Sequence, residues 1–142
     1  MRRCRTTDLR RVLTIERASF GAQAWPREDF VELLGQCPGL FRVGVLDGRV
    51  AGYISGWVMR DAAEILSIAV LPRCRGRGIA ATLLRATLAA LRRSEVRQCR
   101  LMVRPGNRSA IRLYRTFGFI RVRRVKGYYG PRADALRMRL AL

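Results

Sequence analysis

A short glycine-rich turn is the strongest chemical signal in this sequence. Mostly apolar residues 66–71 lead through Pro72 into Arg73-Cys74-Arg75-Gly76-Arg77-Gly78, and an amphipathic stretch follows at once. Two glycines let backbone N–H groups approach a ligand closely, and the positive end of a following helix favours an anion. Three arginines add guanidinium groups that can bind phosphate oxygens. The glycine turn (residues 73–78) therefore predicts a site for a phosphorylated ligand.

Three other interpretations of the glycine turn compete with this one. A P-loop is disfavoured because no Gly-Lys-Ser/Thr follows the glycines. Residues 76–81 fit the G-x-G-x-x-A pattern of dinucleotide-binding folds. Such folds begin with the strand that leads into the glycines, whereas here several predicted strands come before that strand. A purely structural turn without a ligand stays open.

Length and composition restrict the class of protein. A chain of 142 residues with 49% hydrophobic residues predicts one globular domain, spanning 1–142. Its longest apolar runs are shorter than the roughly 18 residues that a membrane span needs. The first residues, MRRCRTTDLRR, contain no apolar signal region. We therefore expect a cytoplasmic protein.

Cysteine and histidine usage excludes several kinds of site. The four cysteines, Cys4, Cys37, Cys74 and Cys99, are irregularly spaced, and the sequence has no histidine. The usual zinc patterns, a histidine triad and a histidine general base are therefore excluded. We expect free, reduced cysteines and no metal.

The formal net charge of +19 comes almost wholly from arginine, with Lys126 as the only lysine. A surface for RNA or the ribosome would explain such a charge. A general drift toward arginine codons would explain it equally well, because the arginines are spread over the whole chain. Charge alone does not decide between the two.

Apolar periodicity predicts the order β-α-α-β-β-β-α-β-α-β-β, a mixed α/β sheet of seven strands with helices on both faces. Asp47-Gly48 predicts a hairpin turn, and residues 61–63 a short connection. A helix between the fourth and fifth strands predicts that these pair in parallel. The strands are expected at 2–5, 40–46, 50–59, 64–71, 99–103, 119–125 and 135–140. Helices are expected after Thr7-Asp8 with the stripe Leu9, Val12, Leu13 and Ala18, after Pro26, at 80–91 and at 107–117.

This order of elements and the spacing Arg73-X-X-Gly76-X-Gly78 resemble the GNAT superfamily of acyl-CoA-dependent N-acyltransferases. Its motif is Gln/Arg-X-X-Gly-X-Gly/Ala. The segments 103–107, 110–114 and 117–119 resemble the V-R-x-x-N, A-I-x-L-Y and x-G-F segments of RimI-type N-terminal protein (ribosomal-protein-alanine) acetyltransferases. Residues 128–129 and 134–138 fit that group too, and Ile15-Glu16 and Trp25 fit more loosely. The resemblance covers nearly the whole chain, most specifically residues 64–138.

The resemblance implies acetyl-CoA as the cofactor and a set of contacts to it. In the family, the glycine turn binds the pyrophosphate of coenzyme A, and the preceding strand supplies main-chain bonds to the pantetheine. Asn107, which by itself is a candidate helix N-cap, would also contact the cofactor. The residues carried over are Ile68, Ala69, Val70, Arg73, Arg75, Gly76, Arg77, Gly78, Ile79, Ala80 and Asn107.

The resemblance implies Tyr114 as general acid, whereas Glu64, at the start of the fourth predicted strand, is the best substitute for a general base and would act through water. A phenol with a pKa near 10 keeps its proton at neutral pH and can donate it to a departing thiolate. RimI-type enzymes commonly carry Glu before the Val-Arg pair, but this sequence has Met102, whose thioether cannot accept a proton. Tyr114 as a core aromatic and Glu64 as a solvated strand-end carboxylate are the structural alternatives.

The substrate contacts implied by the resemblance are Tyr128, Tyr129 and Trp25, which would line the mouth for an incoming peptide N-terminus. For Tyr128 and Tyr129 the alternative is an aromatic pair in a loop, and for Trp25 it is a core anchor.

At pH 7 an α-amine with a pKa near 7.8 is roughly 15% neutral, whereas only about 1 lysine side chain in 2,500 is neutral. Lack of a strong base therefore favours α-amines. Two alternatives stay open, a small-molecule amine as acceptor and a non-catalytic RNA- or ribosome-binding module. A ribosomal protein is one expected partner. The chain is expected to be a monomer or a weak dimer.

Overall fold

The computed structural model describes residues 1–36 and 38–142. Cys37, expected to be a reduced thiol, lies outside the described residues. The α-helices are α1 (Leu9–Phe20), α2 (Arg27–Gln36), α3 (Ile79–Arg92) and α4 (Arg108–Thr116). The strands are β1 (Arg2–Arg3), β2 (Arg42–Leu46), β3 (Arg49–Met59), β4 (Ala62–Val70), β5 (Gln98–Val103), β6 (Ile120–Val125) and β7 (Ala135–Ala141).

The strands form one seven-stranded sheet in the order β1-β2-β3-β4-β5-β7-β6. β4 and β5 are parallel, whereas β1–β2, β2–β3, β5–β7 and β6–β7 are antiparallel. This confirms the predicted mixed sheet and the predicted parallel pair. The position of β7 between β5 and β6 was not predicted, because it depends on pairing between strands that are distant in sequence.

The predicted hairpin at Asp47-Gly48 is confirmed. Both residues have positive φ angles, 52° and 77°, which is the geometry of a type I′ turn. The predicted connection at residues 61–63 is too long, because Ala62 and Ala63 already belong to β4. The reversal takes place at Arg60 and Asp61, and the φ of Arg60 is 58°.

Two further local predictions are wrong. Ala18 is exposed rather than part of the buried stripe of α1, because the helical repeat from Val12 places Ile15 and Glu16 on the core side instead. Leu40 lies in a 3-10 turn at Pro38–Leu40, and β2 begins at Arg42. Element type follows from periodicity, whereas the ends of elements depend on neighbours that periodicity does not describe.

The chain divides into two compact units, each made of two segments. Unit 1 contains Met1–Trp57 and Leu66–Thr87, and unit 2 contains Val58–Ile65 and Leu88–Leu142. The core of unit 1 contains an aromatic group in which the Phe30 ring lies 5.8 Å from both Phe41 and Tyr53. In unit 2 the buried side of β5 and β7 carries Cys99, Leu101, Val103, Leu136, Met138 and Leu140.

Two glycines in unit 1 allow α3 to begin close to the sheet. Gly44 and Gly52 are paired across β2 and β3. A Cβ added at Gly44 would lie 2.7 Å from Ile79 Cγ2, and one at Gly52 would lie 3.0 Å from the Ala69 carbonyl oxygen and 3.1 Å from Ile79 Cγ2. Ile79 is the first residue of α3 and directly follows the glycine turn. The paired glycines therefore set the position of the turn.

The substitution Gly44→Ala should lower the free energy of unfolding by about 1–3 kcal/mol, because the new methyl group forces Ile79 and the start of α3 outward. In an Ile79→Ala background the loss should be smaller, since the crowded atom is gone. Urea unfolding of the four proteins of this cycle measures both values. As a control, Gly35→Ala in α2, where an added Cβ meets nothing within 4 Å, should not destabilise. Equal losses for Gly44→Ala in both backgrounds would contradict the crowding argument.

Candidate functional site

The glycine turn has the backbone geometry that a close ligand approach requires. Pro72–Cys74 form a 3-10 turn, and Gly76 and Gly78 have φ angles of 79° and 77°. Side chains with a Cβ rarely adopt such angles, so glycine is needed at both positions. α3 begins directly after Gly78. Backbone N–H groups at this helix start are available to an anion.

The three arginines of the turn differ in their contacts. Arg75 Nε donates a hydrogen bond to the Val70 carbonyl at 3.1 Å, and Arg75 Nη2 lies 3.5 Å from Ser19 Oγ. Part of the Arg75 guanidinium therefore holds the turn against the end of β4. Arg73 and Arg77 are exposed. Their charge is available to a ligand.

A cavity of about 350 Å³ in unit 1 adjoins the turn. Four arginines line it, Arg11, Arg49, Arg73 and Arg77, against one carboxylate, Asp47. Arg11 Nε donates to the Val50 carbonyl at 3.0 Å, which fixes that side chain. The excess of guanidinium groups over carboxylates makes this side of the turn favourable for phosphate. Arg11 and Arg49 were not predicted, because only the fold brings them beside residues 73–77.

The predicted pantetheine-binding residues lie at the carboxyl end of β4. Ile68 is half-buried, whereas Ala69 and Val70 are buried. The Val70 carbonyl accepts the hydrogen bond from Arg75, and the following Leu71 N–H donates to the Ala51 carbonyl at 2.8 Å. These bonds fix the strand end. Ala80 follows Ile79 in the first turn of α3 and is half-buried.

Asn107 caps α4 in unit 2. Its Oδ1 accepts a hydrogen bond from the Ala110 N–H at 3.3 Å, so the predicted N-cap is confirmed. Asn107 also lines a cavity of about 540 Å³ together with Arg104 and Asp134. Capping uses the amide oxygen, and the NH₂ group can still donate to a ligand.

Tyr114 lies on the buried side of α4, with 5% of its surface exposed and its ring 5.8 Å from that of Phe119. Burial raises the pKa of its phenol well above the ordinary value, and the nearby Tyr129 and Cys99 add to the rise. The hydroxyl therefore keeps its proton throughout the physiological pH range. Tyr114 is therefore a core aromatic whose hydroxyl stays protonated.

The Tyr128-Tyr129 pair is an ordered part of the β6–β7 loop. The two rings make an edge-to-face contact at 4.9 Å, and the Arg104 guanidinium lies 4.5 Å from the centre of the Tyr129 ring. Burial, followed by the neighbouring Tyr128, raises the pKa of Tyr129, while Arg104 opposes the rise. The same loop is held by an ion pair of 2.8 Å between Arg124 and Asp134. Tyr128 is half exposed and can contact a ligand.

Glu64 lies beside arginines rather than in open solvent. Its Oε1 is 3.6 Å from Arg137 Nη1, and its side chain is 17% exposed. Met102 is the cross-strand partner of Arg137. This position disfavours the alternative of a solvated strand-end carboxylate, because Arg137 on β7 reaches over to Glu64. Sequence reasoning missed Arg137, which lies far from Glu64 along the chain.

A buried polar cluster in unit 1 fixes the segment between α1 and α2. The Glu16 carboxylate accepts hydrogen bonds from the Tyr53 hydroxyl, from Ser67 Oγ at 2.8 Å and from the Trp25 backbone N–H at 3.1 Å. Burial, with Glu16 close by, raises the pKa of Tyr53 well above its ordinary value. The Trp25 ring lies 6.4 Å from Phe30 and packs against the core. The position of Trp25 favours its interpretation as a core anchor. A charged residue, Glu16, within the apolar stripe of α1 was the sequence signal that could have predicted this buried polar cluster.

The described cysteines differ in reactivity. Cys4 and Cys99 are buried, and burial raises the pKa of each to about 12. Cys74 is half-buried in the glycine turn. Within residues 1–36 and 38–142, no cluster of metal-binding side chains occurs, and none of the helices is long and apolar enough to cross a membrane.

Alkylation of the intact protein should modify Cys74 much faster than Cys4 or Cys99, because the latter are buried thiols that hold their protons. Modification should abolish binding at the glycine turn, and coenzyme A should protect Cys74. Peptide mapping by mass spectrometry gives the rate at each cysteine. Cys74→Ser provides the matched control, and its coenzyme A binding should be unaffected by the reagent. Unchanged coenzyme A binding after complete modification of Cys74 would refute the prediction.

Comparisons with known proteins agree on one family. The Acetyltransferase (GNAT) family matches residues 9–119. The N-alpha-acetyltransferase of Saccharolobus solfataricus is 32% identical over 151 residues, covering 97% of this chain and 90% of that protein.

Two solved structures show the same fold over almost the whole chain. Ard1 from Thermoplasma volcanium superposes with a TM-score of 0.93 at 30% identity, covering 99% of this chain and 95% of that one. The ribosomal-protein-S18-alanine N-acetyltransferase of Escherichia coli superposes with a TM-score of 0.86 at 28% identity, covering 98% and 90%.

Proposed function

We propose that this chain, which belongs to the GNAT acetyltransferase family, transfers the acetyl group of acetyl-CoA to the α-amine of a protein N-terminus. The observation that carries the proposal is the glycine turn, with left-handed Gly76 and Gly78 leading directly into α3. The similarity to an N-alpha-acetyltransferase along nearly the whole chain supports the α-amine as acceptor.

Acetyl-CoA supplies an activated acetyl thioester, and the chain's own residues bind and orient it. In our proposal, backbone N–H groups of Gly76, Gly78, Ile79 and Ala80 contact the diphosphate, and Arg73, Arg75 and Arg77 balance its charge. Main-chain groups of Ile68, Ala69 and Val70 bind the pantetheine arm, and Asn107 adds a side-chain contact.

Tyr114 is the proposed general acid. Acyl transfer from a thioester leaves a thiolate whose conjugate acid has a pKa of about 8.5, so a phenol of higher pKa can supply a proton as the sulfur departs. Burial raises the pKa of Tyr114, which supports the proposal because the phenol then keeps its proton at neutral pH. Tyr128 and Tyr129 are proposed to contact the acceptor peptide, and Trp25 to shape the adjoining segment.

The acceptor amine has to be neutral before it can attack. Met102 cannot accept a proton, so Glu64 is proposed to do so through water. Arg137 Nη1 lies 3.6 Å from Glu64 Oε1, so the proposed base shares its position with a guanidinium group. An α-amine needs only modest help, because a useful fraction is already neutral near pH 7. This limit favours N-termini over lysine side chains.

Acetyl-CoA turnover, measured as free thiol release, tests the proposal on short peptides with varied N-termini. We expect turnover with a free α-amine, loss on blocking it, and none with an N-terminally blocked lysine peptide. A peptide with the N-terminus of a ribosomal protein is included because the similar Escherichia coli enzyme is named for S18. Turnover confined to polyamines would instead assign a small-molecule acceptor.

Tyr114→Phe should lower kcat about 10²–10⁴-fold, the usual contribution of a general acid, with little change in acetyl-CoA affinity. Tyr53→Phe is the matched control, since it removes a buried hydroxyl that bonds Glu16 instead. That control should lose stability but keep its kcat after correction for the folded fraction. Equal kcat values for the two variants would exclude Tyr114 as the acid.

The pH dependence follows from the same groups. The value of kcat/KM should rise with pH through the α-amine pKa of about 7.7–8.0, as the amine loses its proton. No fall is expected below about pH 10, because an acid with a raised pKa stays protonated until the pH exceeds that value. Steady-state kinetics in overlapping buffers measures the profile. A decline between about pH 8 and 9.5 would conflict with Tyr114 as the donor.

A further inference from the structure

We propose that Arg100 and Arg137 select acceptors that carry a carboxylate next to the reacting amine, specifically N-termini with Asp or Glu near the first residue. This inference rests on the proposed function and adds the substrate class to it. It concerns one face of the strands in unit 2, and nothing in it depends on the cofactor-binding turn.

Strand register places the relevant side chains on a common face. Glu64 pairs with Arg100 between β4 and β5, and Arg100 pairs with Arg139 between β5 and β7. Met102 pairs with Arg137. Directly opposed residues project to the same side of a sheet, so three arginines share this face with one carboxylate. The opposite face is the apolar core of unit 2.

The arginines on this face are incompletely satisfied. Among the described residues, Arg100 Nε and Arg137 Nη1 are buried without a hydrogen-bond partner. The 3.6 Å contact with Glu64 is an ion pair but is longer than a hydrogen bond. Buried charged donors without acceptors are destabilising. A ligand carboxylate would satisfy both guanidinium groups with charge-assisted hydrogen bonds.

Met102 explains why the protein itself offers Arg137 no strong hydrogen-bond acceptor from the opposite strand. The residue opposite Arg137 would be the natural place for a cross-strand carboxylate, and a thioether accepts hydrogen bonds only weakly. Glu64 alone faces several positive charges. The face is therefore cationic where the acceptor side chain would lie, and it should repel acceptors that carry Lys or Arg there.

The position of these arginines connects them to the reacting amine. Glu64, the proposed base, touches Arg137. β5 continues from Arg100 and Met102 into Val103 and, four residues later, the Asn107 cap of α4. A residue adjacent to the acceptor amine would thus meet Arg137 or Arg100. Charge complementarity and the unsatisfied donors both indicate a carboxylate at that point.

The test compares two peptides that start Ala-Glu and Ala-Gln and are otherwise identical, with the full chain and acetyl-CoA. We expect kcat/KM to favour the Glu peptide by about tenfold or more, as charged hydrogen bonds commonly provide. Arg137→Gln and Arg100→Gln should each reduce the ratio. Met102→Glu should reduce it as well, by giving Arg137 a carboxylate of its own. Arg112→Gln, an exposed arginine of α4 with the same charge change, should leave the ratio unaltered.

The possible results separate the inference from the proposed function. Turnover of both peptides at equal kcat/KM, or a preference that survives in all three variants, overturns the inference alone. Absence of turnover on any peptide counts against the proposed function, and equal affinity for the two peptides, measured by fluorescence polarisation, then overturns the inference too. Faster turnover of free glutamate than of the Glu peptide would support carboxylate recognition but assign a small-molecule acceptor.

Discussion

The start of α3 depends on how closely Ile79 can approach the sheet. Gly44 and Gly52 lie opposite each other on β2 and β3, and a methyl group at either would meet Ile79 Cγ2. The glycine turn ends one residue before Ile79, so its backbone N–H groups are positioned by this contact rather than by the turn sequence alone. Arg75, bonded to the Val70 carbonyl, secures the other end. A phosphate-binding turn of this kind needs glycine for its own conformation and also in the strands beneath it.

Buried charge is handled differently in the two units. In unit 1 the Glu16 carboxylate accepts hydrogen bonds from Tyr53, Ser67 and the Trp25 backbone, and these bonds stabilise the segment between α1 and α2. In unit 2, Arg100 and Arg137 retain buried N–H groups without acceptors. A polar cluster whose members all have hydrogen-bond partners serves the structure, whereas donors without partners can bind a ligand that supplies acceptors. Met102 contributes to this difference in unit 2, because the thioether opposite Arg137 is only a weak acceptor.

Two residues with a structural role are also placed where the proposed chemistry would need them. Asn107 caps α4 and still borders a cavity. Tyr114 packs in the core of unit 2, and that same burial keeps its proton in place. Trp25, by contrast, packs against the unit 1 core and contributes its backbone N–H to Glu16. Burial therefore does not by itself exclude a residue from chemistry, since desolvation is what shifts its proton equilibrium.

The sequence by itself determined the features that depend on neighbouring residues: the kinds of element and their order, the Asp47-Gly48 hairpin, the Asn107 cap, the glycine turn and the family resemblance. These features follow from local periodicity and backbone preference, which a short segment carries within it. Only the tertiary structure decided that β7 lies between β5 and β6, that Arg137 stands opposite Met102 and beside Glu64, and that Arg11 and Arg49 adjoin the turn. Such contacts join residues far apart in the chain, and they are selected by strand register and core packing, which no local pattern encodes.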